Sequence, residues 1–176
     1  MSLIAPLPAT SAGPLVAPPA PPPRARRPRG RRRVIVVREL EIERPVEAVF
    51  AFVADARNDP RWCRKVLRVE QVEGSAPGPG AVYAVTHRPV PFRPVRELRL
   101  SCLGWDPPYS IDWREEDGVD AIDVRYELER VAGGSTRLRQ RDRAELGAPR
   151  ALHPFLRVGI GRDVARQLRT LRTVLR

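Results

Sequence analysis

The chain has 176 residues and carries 32 basic against 21 acidic side chains, a net charge of +11. No run of 18 apolar residues exists, which excludes a membrane-spanning helix. Two cysteines (Cys63, Cys102) and two histidines (His87, His153) are too few for a disulfide framework and lack metal-ligand spacing, so neither a metal nor a cofactor is expected.

Charge and proline divide the chain near residue 33. Residues 1–33 hold seven arginines, no acidic residue and nine of the twenty prolines, while all ten aromatic residues lie beyond residue 49. The expected organisation is therefore a disordered tail over residues 1–33 and one domain over residues 34–176. A domain of that length buries roughly 70% of its unfolded surface, enough for a core without staples. No basic n-region precedes the apolar residues of the tail and prolines interrupt them, so no secretory signal is read and a cytoplasmic protein is expected. Arg24–Arg33 (RARRPRGRRR) has two readings. It is an arm for phosphate, on nucleic acid or an anionic membrane surface, or it is a solvated linker in a chain with 31 arginines and one lysine, Lys65. No aromatic residue interleaves the arginines to stack on bases, which favours the linker.

Val34–Ile42 (VIVVRELEI) opens β-branched and then alternates, which predicts a strand. Pro45 suits the first turn of a helix, where its missing N–H costs nothing, and Val46, Val49, Phe50 and Val53 follow at helical spacing. Asn58-Asp59-Pro60 reads as a stop and restart, with Arg61 and Trp62 on a second short helix. Six strands are predicted next, at Val66–Val72, Ala81–Arg88, Val95–Leu103, Tyr109–Glu115, Ala121–Arg130 and Thr136–Leu146. Their Gly-, Pro- and Asp-rich connections favour antiparallel neighbours. A long helix from about Arg150 to Leu175 closes the chain, with the apolar stripe Leu152, Leu156, Ile160, Val164, Leu168, Leu171, Leu175 along one face. His153-Pro154 is expected to cap its first turn, and Gly159 and Gly161 leave room for a ligand or for close packing.

The fold class predicted is α+β: a curved antiparallel sheet of about seven strands covered by the C-terminal helix, with two short helices after the first strand. Here the chain resembles a known family. IERPVEAVFAFVADARNDPRW, GPGAVYAVT and the terminal stripe, with Pro45, Asp55, Pro60 and Trp62 as landmarks, resemble the START-like helix-grip (SRPBCC) superfamily, in its polyketide cyclase/dehydrase and lipid-transport branch. The resemblance implies a hydrophobic cavity between sheet and helix that holds a lipid, a polyketide or another small apolar molecule.

Alternation assigns faces. Ile122, Val124, Tyr126 and Leu128 point inward; so do Leu138, Gln140, Asp142 and Ala144, because the ladder Arg137, Arg139, Arg141, Arg143 must be solvated. Arg96, Leu98, Leu100 and Cys102 form a further inner set, as do Ile111 and Trp113. For the strand at 81–88 either Tyr83, Val85, His87 or Val82, Ala84, Thr86 faces in, and the first set is preferred. The candidate cavity residues are thus Trp62, Tyr83, His87, Arg96, Leu98, Trp113, Val124, Tyr126, Gln140, Asp142, Leu152, Leu156 and Ile160.

The inward polar groups carry most information, because burial without partners costs a few kcal/mol. Asp142 is either a cavity carboxylate that orients a ligand hydroxyl or acts as a general base, or one side of an ion pair with Arg96 or a neighbouring arginine, or a strand end that reaches water. Tyr126, Tyr83 and Gln140 each offer one hydrogen bond to a ligand, or sit satisfied in the core. His87 is an acid/base group or a structural residue, and Trp62 walls the cavity entrance or anchors its helix.

No nucleophile elbow or phosphate loop is present, so binding of a small apolar molecule, as carrier or sensor, ranks above a polyketide cyclase, aromatase or dehydratase acting in the same cavity. Deleting residues 1–32 is expected to leave the melting temperature almost unchanged, since that segment has no aromatic or periodic apolar face to bury. A fall of more than a few degrees by calorimetry would show that it packs on the domain.

Overall fold

Period-two alternation builds most of the molecule. The computed structural model describes residues 33–74, 77–88 and 94–176, and the predicted tail lies outside them apart from Arg33. That residue belongs to the first strand and pairs with Glu145 at 2.9 Å. The strands are β1 (Arg33–Ile42), β2 (Val66–Glu73), β3 (Val82–His87), β4 (Arg96–Asp106), β5 (Ser110–Glu116), β6 (Ala121–Arg130) and β7 (Thr136–Glu145). They form one antiparallel sheet in the order β1-β7-β6-β5-β4-β3-β2. Strands β2 to β7 are a meander. Strand β1 instead pairs with β7, from Arg33↔Glu145 to Ile42↔Thr136, so consecutive strands β1 and β2 stand at opposite edges. The connection between those edges carries α1 (Val46–Val53) and a 3-10 helix (Ala56–Arg61).

Pro45 is the N-cap of α1, in an extended conformation (φ −58°, ψ 147°), and its carbonyl accepts from the Val49 amide at 3.1 Å. Val46, Val49, Phe50 and Val53, one stripe at i, i+3, i+4 and i+7, are the buried residues of this helix. The break between the short helices falls earlier than predicted. Asp55, with an extended backbone, caps the 3-10 helix by accepting from the Arg57 amide at 3.1 Å, and Asn58-Asp59-Pro60 lies inside that helix. Arg57 also grips both Asp55 oxygens, at 2.8 and 2.7 Å, which holds this carboxyl below its usual range.

The last helix, α2 (His153–Val174), follows a 3-10 turn at Arg150–Leu152, with Pro154 in its first turn. His153 Nε2 lies 3.2 Å from the Ala148 carbonyl oxygen and ties the turn. The apolar stripe of α2 is not buried along its whole length. Gly161, Val164, Leu168 and Leu171 are the buried residues of α2, whereas at the start of the stripe Leu152 is 48% exposed and Leu156 and Ile160 are half-buried; Phe155 (76%) and Val158 (52%) lie off the stripe and face water. The cause is where the helix touches the sheet. A Cβ on Gly161 would stand 3.8 Å from Val36 Cγ1 and 2.6 Å from Arg38 Nη2, so glycine permits close approach to β1. Gly159, half a turn away, would meet nothing within 4 Å. At the far end, Arg44 Nε donates to the Leu175 carbonyl at 2.7 Å and fastens the helix terminus to the β1–α1 corner.

The outer sheet face is charged and paired. Arg137–Glu129 (3.1 Å), Arg125–Asp112 (2.9 Å) and Arg114–Asp123 (2.8 Å) run across it, each contributing at most about 1 kcal/mol. Tyr83, Ile111 and Leu138 on the inner face, and Leu168 and Leu171 of α2, are among the most deeply buried side chains. Buried Thr136 satisfies its hydroxyl by donating to the Arg44 carbonyl at 2.7 Å.

Burial along α2 is thus graded. Leu168→Ala is expected to lower unfolding free energy by about 2–5 kcal/mol, and Phe155→Ser by less than about 0.5 kcal/mol, in denaturant titrations. Comparable losses at the two positions would mean that the first turns of α2 are packed.

Candidate functional site

Between the inner sheet face and the middle of α2 lies a cavity of about 140 Å³. Each strand that reaches it does so through alternate residues: Val85 and His87 from β3, Leu98 and Leu100 from β4, Ile122, Val124 and Tyr126 from β6, Gln140 and Asp142 from β7. Trp62, Cys63 and Lys65 enter from the segment after the 3-10 helix, and Ile160, Asp163, Val164 and Gln167 from α2.

The candidates read from alternation divide accordingly. Trp62, His87, Leu98, Val124, Tyr126, Gln140, Asp142 and Ile160 line the cavity. Tyr83 and Trp113 are buried beside it, edge to face with ring centroids 5.8 Å apart, and form the core behind the wall. Arg96 is not part of the site: at the exposed start of β4 it reaches outward to Asp117 at 2.9 Å. Leu152 and Leu156 do not line it either, because the first turns of α2 stand away from the sheet. Alternation missed Glu115, although it continues the inward series Ile111, Trp113 by one step of two. Asp59, Lys65 and Asp163 gave no periodic signal, since Asp59 lies in a short 3-10 helix, Lys65 in the turn after it, and Asp163 beside the stripe of α2.

The electrostatics follow from burial. Asp142 is pushed up to about 6 by loss of solvent, opposed by the Gln140 amide, whose Nε2 donates to Oδ1 at 2.9 Å. Its partner is therefore Gln140, not an arginine. Glu115 is pushed up to about 7 by burial and then by the negative charge of Asp142, with Lys65 pulling the other way. Asp59 is raised well above its ordinary value by burial and by Glu115, with the Trp62 indole N–H pulling the other way. Burial and the Lys65 charge hold His87 down, to about 4, so it is neutral at pH 7. Burial pushes the Cys63 thiol up to about 12, which leaves it inert as a nucleophile. Lys65 and Asp163 form a salt bridge, and both line the cavity.

One buried polar atom in this wall, Gln140 Oε1, has no hydrogen-bond partner. A larger depression of about 280 Å³ lies on the outer face among Arg125, Arg141 and Arg143, where the neighbouring acids Asp112 and Asp123 are already paired with arginines. The inner cavity joins apolar walls to one buried acid, Asp142, and two half-buried ones, Asp59 and Glu115, the combination expected of a ligand site. It can hold a guest that offers hydrogen-bond donors, and its two carboxyls near neutrality can exchange protons with that guest.

Comparison with known proteins agrees with this architecture. Residues 33–176 match the profile of the family described as polyketide cyclase / dehydrase and lipid transport. No curated protein sequence matches the chain. Among solved structures, a START superfamily protein from Mycobacterium smegmatis superposes with a TM-score of 0.69 at 13% identity, over 80% of this chain and 96% of that one. A protein from Thermus thermophilus gives 0.64 at 17% identity, over 79% and 94%. The di-domain ARO/CYC StfQ of the steffimycin biosynthetic pathway gives 0.65 at 15% identity, over 81% of this chain and 50% of that one. Likeness at these identities concerns the fold alone.

The raised Glu115 carboxyl makes a prediction about stability. Its ordinary value is 4.5 and its folded value about 7, so the folded state binds the proton more tightly. The stability this contributes is fully present below about pH 4.5 and lost as pH rises through about 7. Glu115→Gln is expected to exceed the parent by on the order of 1–2 kcal/mol at about pH 8, a gap that closes near about pH 4.5 in parallel denaturant titrations. A gap independent of pH would show that Glu115 is solvated.

Proposed function

The chain belongs to the polyketide cyclase / dehydrase and lipid transport family, and we propose that it binds a small, largely apolar molecule in the cavity under α2, as a carrier or sensor. The observation that supports this most is the cavity wall itself. Val85, Leu98, Leu100, Ile122, Val124 and Ile160 provide apolar surface, and a few buried polar groups converge on the same space. Residues 34–176 are the binding domain in this reading, and the arginine-rich segment before them is a separate linker.

Size narrows the guest. A cavity of about 140 Å³ is close to one that admits a benzene ring and below the range of roughly 300–1,000 Å³ usual for drug-sized ligands. A single-ring guest fits the cavity as it stands. A long acyl chain or a polycyclic polyketide requires the first turns of α2 to move, and those turns bury little. The exposure of Leu152 and Phe155 leaves little packing to oppose that motion.

A second reading is catalytic, in the manner of a polyketide cyclase, aromatase or dehydratase. It is favoured by two carboxyls at about 7 and about 6 beside the Tyr126 hydroxyl, since acid/base groups work best near the operating pH.

Native mass spectrometry of the protein purified from cells tests binding. An organic ligand of defined mass is expected to be retained, and to be lost from Val124→Trp, which fills the cavity, but not from the outward Arg139→Ala. Tryptophan emission is expected to change saturably with single-ring ligands, because Trp62 lines the site. No retained ligand and a flat titration across a diverse panel, with the fold confirmed by circular dichroism, would contradict the binding reading.

A further inference from the structure

We propose that the guest of this cavity is an organic amine, bound as its ammonium by Glu115, Asp142 and the side-chain carbonyl of Gln140, with its hydrocarbon body against Leu98 and Ile160. This assignment rests on the reading of the cavity as a ligand site and adds the chemical class of the ligand.

Hydrogen-bonding capacity inside the cavity is lopsided. Gln140 is 4% exposed, and its amide nitrogen is engaged by Asp142 at 2.9 Å. Its carbonyl oxygen has no partner, and a buried acceptor left in that state costs about 1–3 kcal/mol. Beside it stand carboxyls from three separate elements, Asp59, Glu115 and Asp142. Of the donors in the wall, the Trp62 indole N–H acts on Asp59 and Lys65 is held by Asp163, so a guest that brings several N–H groups supplies what the Gln140 carbonyl and the carboxyls lack.

Charge selects among donors. The chain has 31 arginines, yet none of those among the described residues lines this cavity. Its only lysine does, but Lys65 is held by Asp163. His87 is neutral at pH 7, being held down to about 4. The interior is thus acidic in a protein whose net charge is +11. An anionic guest, such as a fatty-acid carboxylate, meets like charge. A neutral alcohol satisfies Gln140 and leaves Glu115 and Asp142 repelling each other. An ammonium satisfies the acceptor and offsets the repulsion, and the rings of Trp62 and Tyr126 add π faces that favour a cation. A bare metal ion is a poorer fit: among the described residues no group of three His, Cys, Asp or Glu side chains is arranged to hold one.

Binding is then linked to protonation. In the empty cavity Asp142 and Glu115 are held up, at about 6 and about 7, and Asp59 is raised with them. An ammonium favours their ionised forms, so it binds more tightly as pH rises through that window. The other groups facing them are Lys65 and Asp163, paired at the cavity edge, together with His87, Cys63 and Tyr126. His87 titrates below the window, while Cys63 and Tyr126 are raised above it.

Isothermal titration of the full chain with benzylamine, benzyl alcohol and benzoate, three guests of one shape and different charge, tests the assignment. At about pH 8 benzylamine is expected to bind about tenfold or more tighter than benzyl alcohol, with no measurable binding of benzoate. Lowering the pH to about 5.5 is expected to shrink the preference to about threefold or less, a readout that needs no variant. Glu115→Gln and Asp142→Asn, each with its fold confirmed by circular dichroism, are expected to weaken benzylamine and leave benzyl alcohol unchanged. Benzyl alcohol or benzoate binding as well as benzylamine would overturn the amine assignment and leave the cavity reading intact. Failure of all three to bind would overturn both.

Discussion

A sheet with charged residues on one face and apolar residues on the other must keep the apolar face out of water, and in this chain the elements available to cover it are α1, the 3-10 helix and α2. The long helix is fastened at its C-terminal half, where Val164, Leu168 and Leu171 are buried and Gly161 allows close approach to β1. Its N-terminal turns are not drawn down in the same way. The cavity lies between the sheet and the middle of the helix, at Ile160, Asp163, Val164 and Gln167.

That geometry explains the polar residues of the inner face. Gln140 and Asp142 occupy inward positions of β7, opposite Tyr126 and Val124 of β6, in the sheet's regular register. Buried polar groups of this kind are tolerated when they satisfy one another or a guest. Here the Gln140–Asp142 hydrogen bond does half of that work and leaves an acceptor open toward the cavity. Keeping Glu115 within reach of Asp142 costs stability at neutral pH, and function gives the most direct reason for such an arrangement.

Much of the fold was legible in the sequence because β-strand alternation has an integral period. The ladder Arg137–Arg143 identified the wet face of β7 and placed Gln140 and Asp142 inside, as the structure has them. Alternation is blind to where a strand starts to fray. Arg96 shares the parity of Leu98, but at the first residue of β4 its long side chain turns to Asp117. Helical periodicity is blind in a similar way: the stripe through Leu152 and Leu156 is continuous in sequence, while contact with the sheet begins only near Ile160. Asp59 comes from a single short 3-10 helix and Lys65 from the turn after it, segments too short for a periodic reading. Glu115 was within reach of the rule and was hidden by its charge beside Glu116.

Glu115 and Asp142 lie under α2 largely shut off from water, and the charge of Asp142 helps to raise Glu115. Carboxyl-detected nuclear magnetic resonance across a pH series measures this residue by residue in the intact chain. The account predicts that Asp142 titrates near about 6 and Glu115 near about 7. It also predicts that Asp142→Asn moves the Glu115 midpoint down, since the charge of Asp142 helps to raise it. Midpoints near about 4 for both groups, as for carboxylates in water, would contradict it.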